Sequence, residues 1–338
     1  MVNKKVFIVA EIGINHNGDM KIAEESIKAA AEAGADSVKF QSYKTEDFIT
    51  NKNLKYKYLS KNQVVEESQF EMFKRCELDF KQLNFLYKKS KEYNLDFHST
   101  PTNIEGINHL KELGCEYIKN GSDYLTHLEL IKKMGESGLT TIISTGMANL
   151  GEIDDAVRTF KSTGNTNLIL LVCTSSYPTP PQEVNLSRIS SLREIYNLPI
   201  GFSDHTNGVN AAIGAVFQKA IWIEKHFTID KNLPGPDHRF SLDPKELKFL
   251  VNSIRESEQM NGSPNFFPTE SEKENRNLFR LSCVTSKILN KGHILRKEDI
   301  NFCRPGLGMP PKMINFFIGR KLKSDLSKGH ILSLNDFL

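Results

Sequence analysis

Short apolar runs rich in β-branched and aromatic residues recur at VFIVAEI (6–12), SVKFQS (37–42), DFHSTP (96–101), YIKNGS (117–122), TTIISTG (140–146), LILLVCT (168–174), PIGFSD (199–204) and WIEKHFT (222–228). Each predicts a strand. Between them the apolar positions switch to helical spacing. In KIAEESIKAAAEAGA (21–35), Ile22, Ile27 and Ala30 share a face and Gly34 supplies the stop. Buried strands alternating with helices predict a parallel sheet covered by helices. Eight such units in about 250 residues match an α/β (β/α)8 TIM barrel, with a doubly wound open sheet as the alternative.

Two segments depart from the alternation. The stretch from 43 to 95 is longer than one helix needs and reads as a polar loop followed by two helices within 66–93, an insertion after the second strand. Beyond the helical pattern ELKFLVNSIRESEQM (246–260), NGSPNFFPTESEKENRN (261–277) is dense in Pro, Asn, Ser and charge and reads as a linker. We place the boundary at 275, giving a barrel domain over 1–275 and a small β-rich domain over 276–338. The latter holds an imperfect repeat, KGHILRKEDI (291–300) and KGHILSLNDF (328–337), each copy a Lys-Gly turn, a short strand and an acidic stop.

Composition narrows the chemistry. The 338 residues carry a net charge of only +3, with basic residues dispersed, so a nucleic-acid partner is not expected. The 5 cysteines are widely spaced without a C-x-x-C pair, which points to a reducing cytoplasm rather than a disulfide framework or zinc-thiolate site. The apolar segment after Lys4 and Lys5 is broken at Glu11, too soon for a signal core or membrane span.

In a parallel barrel, chemistry gathers at the C-terminal ends of the strands. All eight predicted strands end in polar groups there: Glu11; Lys39 and Gln41; Ser99 and Thr100; Lys119 and Ser122; Ser144 and Thr145; Thr174 and Ser175; Ser203, Asp204 and His205; Glu224, Lys225 and His226. The period of two puts Glu224 and His226 on one side of their strand and Lys225 on the other, and likewise aligns Ser203 with His205. His205 and His226, from adjacent strands, form a candidate divalent-metal pair, with water or substrate oxygen completing the shell. Hydroxyls of the STP, NGS, STG and SDH segments, with Lys119, suit a phosphate and a carboxylate. Glu11 closes an otherwise apolar strand and is a candidate general acid/base, whereas Glu224 is placed to orient a ligand. His16, among the turn formers Asn15, Asn17 and Gly18, is assigned to shaping the first loop.

These residues sit in AEIGINHNG, VKFQ, STP, KNGS, STGM, CTSSYPTP, GFSDHT, IEKHFT, GPDH and CRPGLG, and in that order the chain resembles the sialic acid synthase family, end to end. The resemblance implies condensation of phosphoenolpyruvate with an N-acyl mannosamine-type sugar to a nine-carbon 2-keto acid. It implies Mn2+ or Mg2+ on His205 and His226, with Glu11 handling protons. Phosphoenolpyruvate would be held by Thr100, Lys119, Ser122, Ser144, Ser175 and Ser203, and the sugar by Lys39, Gln41, Tyr177 and Asp237. The C-terminal domain would be an antifreeze-like SAF domain whose Arg304 reaches the partner barrel of a domain-swapped homodimer. Ser122-Asp123-Tyr124 where relatives have S-G-E or S-G-D, Thr102 after STP, and Val172 before Cys-Thr are departures near the sugar end. N-acetylmannosamine and a 2,4-diacetamido-6-deoxy mannose stay open. Two rivals are an amidohydrolase-like metal barrel, which calls for H-x-H on strand one, and a non-catalytic sugar- or ice-binding protein, which leaves the polar mouth without a purpose.

Overall fold

The structure is a computed structural model that describes residues 5–60 and 63–338. The chain divides into two compact units, Met1–Gly262 and Ser263–Leu338. In the first, eight parallel strands are hydrogen-bonded side by side: β1 (Phe7–Gly13), β2 (Ser37–Ser42), β5 (Asp96–Pro101), β6 (Tyr117–Asn120), β7 (Thr140–Ser144), β8 (Leu168–Cys173), β9 (Ile200–Asp204) and β10 (Trp222–His226). Their order, β5-β2-β1-β10-β9-β8-β7-β6, follows the chain around a circle, and the end strands β5 and β6 lie against each other. This is a nearly closed eight-stranded barrel. A doubly wound sheet would reverse its strand order part-way across, and this one does not.

Helices return the chain between strands: α1 (Met20–Ala33), α4 (Phe80–Glu92), α5 (Ile104–Leu113), α6 (Leu128–Glu136), α7 (Leu150–Lys161), α8 (Arg188–Tyr196), α9 (Asn210–Phe217) and α10 (Pro244–Met260). Their starts and stops are written locally. The Asp19 carboxylate caps α1, Gly34 ends it at φ 89°, and Asp79, Asn149 and Asp243 form capping boxes with Gln82, Glu152 and Glu246. The outward strand faces and inward helix faces form the main core, from Ile8 and Phe40 to Leu250 and Ile254. Inside the barrel the lower layer is apolar and aromatic. Trp222 stacks on Phe7 at 4.4 Å and packs edge-on to Tyr117 at 5.1 Å, closing the end opposite the polar mouth.

The insertion differs from its expectation. Where a polar loop was predicted, the chain makes the short helix α2 (Thr45–Phe48) and then an antiparallel pair, β3 (Lys55–Ser60) and β4 (Gln63–Ser68), before α3 (Gln69–Arg75). Tyr56 and Tyr58 turn toward the cluster of Ile14, Met72 and Cys76, while Lys55 and Lys57 on the other face pair with Glu66 at 3.0 and 2.9 Å.

The second unit contains α11 (Glu270–Phe279), the antiparallel strands β11 (Ser282–Thr285) and β12 (Ile300–Cys303), and short 3-10 turns. Its two repeats use one device. Gly292 and Gly329 both stand at φ 81°, Leu295 and Leu332 enter the unit's own core, and His293 and His330 reach Asp299 and Asp336 at 2.7 and 3.1 Å. Among the described residues no helix is long and apolar enough to cross a membrane.

Candidate active site

At the C-terminal ends of the barrel strands lies a cavity of about 530 Å3. Its lining includes Glu11, Lys39, Gln41, Thr100, Lys119, Ser122, Ser144, Ser175, Tyr177, Ser203, His205, Glu224, His226 and Asp237. Strand register explains the convergence. Glu11 sits level with His226 on one neighbour and with Lys39 on the other, Gln41 is level with Thr100, and Glu224 with Ser203. The alternation in WIEKH holds as well: Lys225 points away from the cavity and forms a buried ion pair with Asp204 at 2.9 Å. Two of that strand's three ionisable groups therefore serve the mouth and the third serves the wall. Arg304 lies in the second unit, its guanidinium 5.1 Å above the Phe279 ring.

The floor of the cavity is a buried charge network. Lys39 Nζ lies 2.8 Å from Glu11 Oε2 and donates to Thr100 Oγ1 at 3.1 Å. Lys119 Nζ reaches Glu224 Oε1 at 3.1 Å, with Lys39 at 3.8 Å from the same atom and Ser203 Oγ donating to it at 3.3 Å. Burial pushes Glu11 up to about 7, against the pull of Lys39 and with help from the Glu224 charge. For Glu224 burial acts in the same upward sense, but Lys119 and Lys39 outweigh it and hold the carboxyl down at about 2. Burial pulls the Lys119 pKa down, but Glu224 outweighs it and the value ends above the usual lysine range. A register shift after Glu11 leaves Gly13 at φ 53°, where a Cβ would stand 2.9 Å from Glu11 Oε1, so the glycine makes room for the carboxylate.

Beside Lys119 the hydroxyls gather around Gly146. Its N–H donates to Ser122 Oγ at 3.1 Å, and a Cβ added there would meet Ser175 Oγ at 2.3 Å and Ser122 Oγ at 2.6 Å. The buried Oγ atoms of Ser144 and Ser175 have no hydrogen-bond partner. Two orphaned hydroxyls beside a buried ammonium make a ready anion cradle.

The family can now be placed: residues 26–265 match the NeuB family. The chain belongs to it. It is 41% identical over 319 residues to the N,N'-diacetyllegionaminic acid synthase of Campylobacter jejuni, covering 94% of this chain and 96% of that one. Against the enzyme of the same name from Legionella pneumophila it is 40% identical over 330 residues, covering 96% and 93%. The crystal structure of the sialic acid synthetase from Leptospira borgpetersenii superposes with a TM-score of 0.73 at 37% identity, over 81% of this chain and 90% of that one.

In this NeuB-family chain the two histidines come together as expected from their strands, ring centroids 5.3 Å apart. His205 Nδ1 is 2.8 Å from the Thr174 carbonyl, which can only accept, so that nitrogen carries a proton and Nε2, 3.5 Å from Ser203 Oγ, is the one left for a ligand; burial pulls the ring's pKa down, but Cys173 and the Thr174 carbonyl outweigh it and raise it. Burial drives His226 well below the usual imidazole value. Its Nδ1 is buried without a hydrogen bond, 3.7 Å from the Asp237 carboxylate, which burial raises to about 6. Two imidazoles with uncommitted nitrogens beside a carboxylate suit a divalent ion of mixed nitrogen and oxygen preference. Among the described residues no group of three or more His, Cys, Asp or Glu is arranged to hold a metal, so water or a substrate oxygen would complete the shell. Tyr177 lies over the pair, 4.2 Å from the His205 ring and 5.9 Å from that of His226.

Residue-type reasoning missed several groups. Cys173 ends β8 inside the cavity, its Sγ 3.7 Å from Ser122 Oγ and 3.8 Å from His205 Nδ1; reading only hydroxyls at strand ends passed over it. Tyr43, Phe48, Met72 and Phe73 also line the cavity, contributed by the insertion and the loop leading into it. The first loop is a latch. Asn15 Nδ2 donates to the Phe227 carbonyl and to Ser241 Oγ, both at 2.9 Å, and Asn17 Nδ2 meets His238 Nε2 at 3.2 Å, which ties down the loop carrying Asp237. His16 Nδ1 accepts from the Gly18 N–H, as a loop-shaping residue should.

Proposed function

We propose that this enzyme condenses phosphoenolpyruvate with the open-chain aldehyde of an N-acyl mannosamine-type sugar, giving a nine-carbon 2-keto acid of the nonulosonic class and inorganic phosphate. The observation that carries the reading is the cradle of Lys119, Ser122 and the unpartnered Ser144 and Ser175 hydroxyls next to a second lysine, Lys39. An enol phosphate brings a phosphate and a carboxylate, and this floor offers Lys119 and a set of hydroxyls to the two groups, with Thr100 and Ser203 completing the set. Lys39, Gln41, Tyr177 and Asp237 meet the sugar, while Glu224 holds both lysines in place.

The enol C3 attacks the aldehyde carbon, leaving C2 electron-poor. Water adds at C2, and Glu11, poised near neutrality, takes one of its protons and passes it to the alkoxide left on the former aldehyde carbon; the tetrahedral C2 then breaks its bond to the phosphate oxygen, the remaining hydroxyl proton going to the departing phosphate as the ketone forms. A divalent cation, Mn2+ or Mg2+, held by His205 and His226 would supply Lewis-acid polarisation of the aldehyde oxygen. We assign the C-terminal domain the antifreeze-like SAF fold, on the strength of its paired KGHIL repeats; the compact unit begins at Ser263, ahead of the expected boundary at 275, which falls inside α11. Its Arg304 completes the sugar site of the partner in a domain-swapped homodimer. Five free cysteines, four of them buried, favour a reducing cytoplasm.

A phosphate-release assay tests the reaction. Release should require both phosphoenolpyruvate and an N-acyl mannosamine, and should be lost on adding a chelator and in His226→Ala. Release without the sugar, or indifferent to the chelator, would overturn the reading.

A further inference from the structure

The hydrogen-bonded pairing of β9 with β10 stops one residue short of the two histidines. Its last level is Lys225 with Asp204, and His205 and His226 follow beyond it. His226 is level with Glu11 of β1 on its other side, whereas His205 is held by the segment after β8, its ring by the Thr174 carbonyl at 2.8 Å and its own carbonyl by the Thr179 N–H at 2.9 Å. The two rings are thus anchored to different neighbours, and the gap between them needs a tie of its own.

Lys225 carries that tie past the end of the ladder, from the outer side of the barrel wall. Its ammonium lies 2.9 Å from Asp204 Oδ2 and also donates to the Thr206 carbonyl, while the Thr206 N–H donates to Asp204 Oδ1 at 2.8 Å. These contacts close a ring around the His205 backbone, and the residue that closes it stands next to His226. Both charged side chains are buried. Taking a lysine and an aspartate out of water costs about what their attraction returns, and apolar side chains of the same shape would hold the wall as well. Stability alone gives no reason for the pair, and the geometry of the strand ends does.

Resting on the reading that His205 and His226 hold a divalent cation, we infer that the Asp204–Lys225 pair is a positioning clamp, which fixes the separation and aim of the two imidazoles from behind the wall without touching cation or substrate. A chain without it keeps both ligands but lets them drift, so the cation is held less tightly.

The test is the Mn2+ affinity of the full-length chain, read from the electron paramagnetic resonance signal of free Mn2+ with phosphoenolpyruvate present and the sugar withheld, beside the melting temperature without metal. Asp204→Asn with Lys225→Met removes both charges at nearly constant volume. Its Kd for Mn2+ should rise about 10- to 100-fold, while the metal-free melting temperature stays at or above that of wild type. Asp204→Asn alone keeps the acceptor for the Thr206 N–H and should weaken Mn2+ about tenfold, which decides the matter if the double variant does not fold. An unchanged Kd, with or without a lower melting temperature, would overturn the clamp and leave the metal reading standing. Mn2+ bound as tightly by His226→Ala as by wild type, or bound by neither, would overturn both.

Discussion

Glu11 and Glu224 stand on adjacent strands, share Lys39 and are equally buried, yet their environments pull them in opposite directions. Glu224 collects Lys119, Lys39 and the Ser203 hydroxyl on one oxygen, so it stays ionised throughout the working range. Glu11 has one close cation and a like charge nearby, and burial wins. On the proposed reading, two carboxylates separated in this way divide the labour: one holds the floor together and the other moves a proton. In the proposed reaction Glu11 works as a base in its ionised form; raising the pH through about 7 populates that form, and kcat should rise across that interval and level off above it. The linked effect on stability has the opposite sign. The folded state retains a proton that the unfolded chain loses at its ordinary value of 4.5, so this contribution is full below that pH and is lost as pH rises through about 7. Glu11→Gln should cost about 10²- to 10⁴-fold in kcat and abolish the alkaline-rising limb, without a comparable loss of melting temperature. A variant that retained both rate and limb would remove Glu11 from the chemistry.

The elements differ in how plainly the chain announces them. Strands buried on both faces, such as LILLVC in β8, read as unbroken apolar runs, and the rule that barrel chemistry sits at strand ends then turns eight runs into eight addresses. That is why the sequence alone places Glu11, Lys39, Lys119, Ser144, His205 and His226 at the mouth whose cavity they line. The hairpin β3–β4 is hard to read from the sequence because its inward face is carried by Tyr56, Tyr58 and the small Ser60, set among lysines on a mostly solvated ribbon, with a glutamate-bearing partner strand. The tertiary cluster with Ile14, Met72 and Cys76, not its own composition, holds it. The place of Phe48 and Phe73 in the cavity lining is hidden for the same reason, since nothing in their spacing says that α2 and α3 fold back to one cavity. How tightly the insertion is clamped can be tested at Gly18. This residue ends the first loop at φ 77°, and a Cβ there would stand 2.1 Å from the Arg75 carbonyl oxygen at the end of α3. Both the backbone and the space forbid a side chain, so Gly18→Ala should destabilise by about 1–3 kcal/mol, read as a lower denaturation midpoint. An unchanged midpoint would mean that α3 and the first loop move apart freely.

At the scale of the whole molecule the open matter is why a barrel that already gathers its catalytic groups carries a second unit with a core of its own, built on Leu289, Leu295, Leu322 and Leu332. Under the proposed exchange, the second unit of one chain would bring Arg304 to the sugar site of its partner, in a cavity whose own lining holds no arginine among the described residues. Such an arrangement has a consequence that no single-chain site shares. Arg304→Ala and His226→Ala should each be nearly inactive alone. Mixed by co-refolding or co-expression, they form dimers in which the barrel with an intact His226 receives Arg304 from the other chain. Random pairing makes half the dimers mixed with one competent site in two, so activity should return to about a quarter of wild type. If Arg304 instead served its own barrel, every site in the mixture would lack one of the two residues and no activity would return. Activity at the sum of the separate variants would therefore refute the exchange, while recovery toward a quarter would require it.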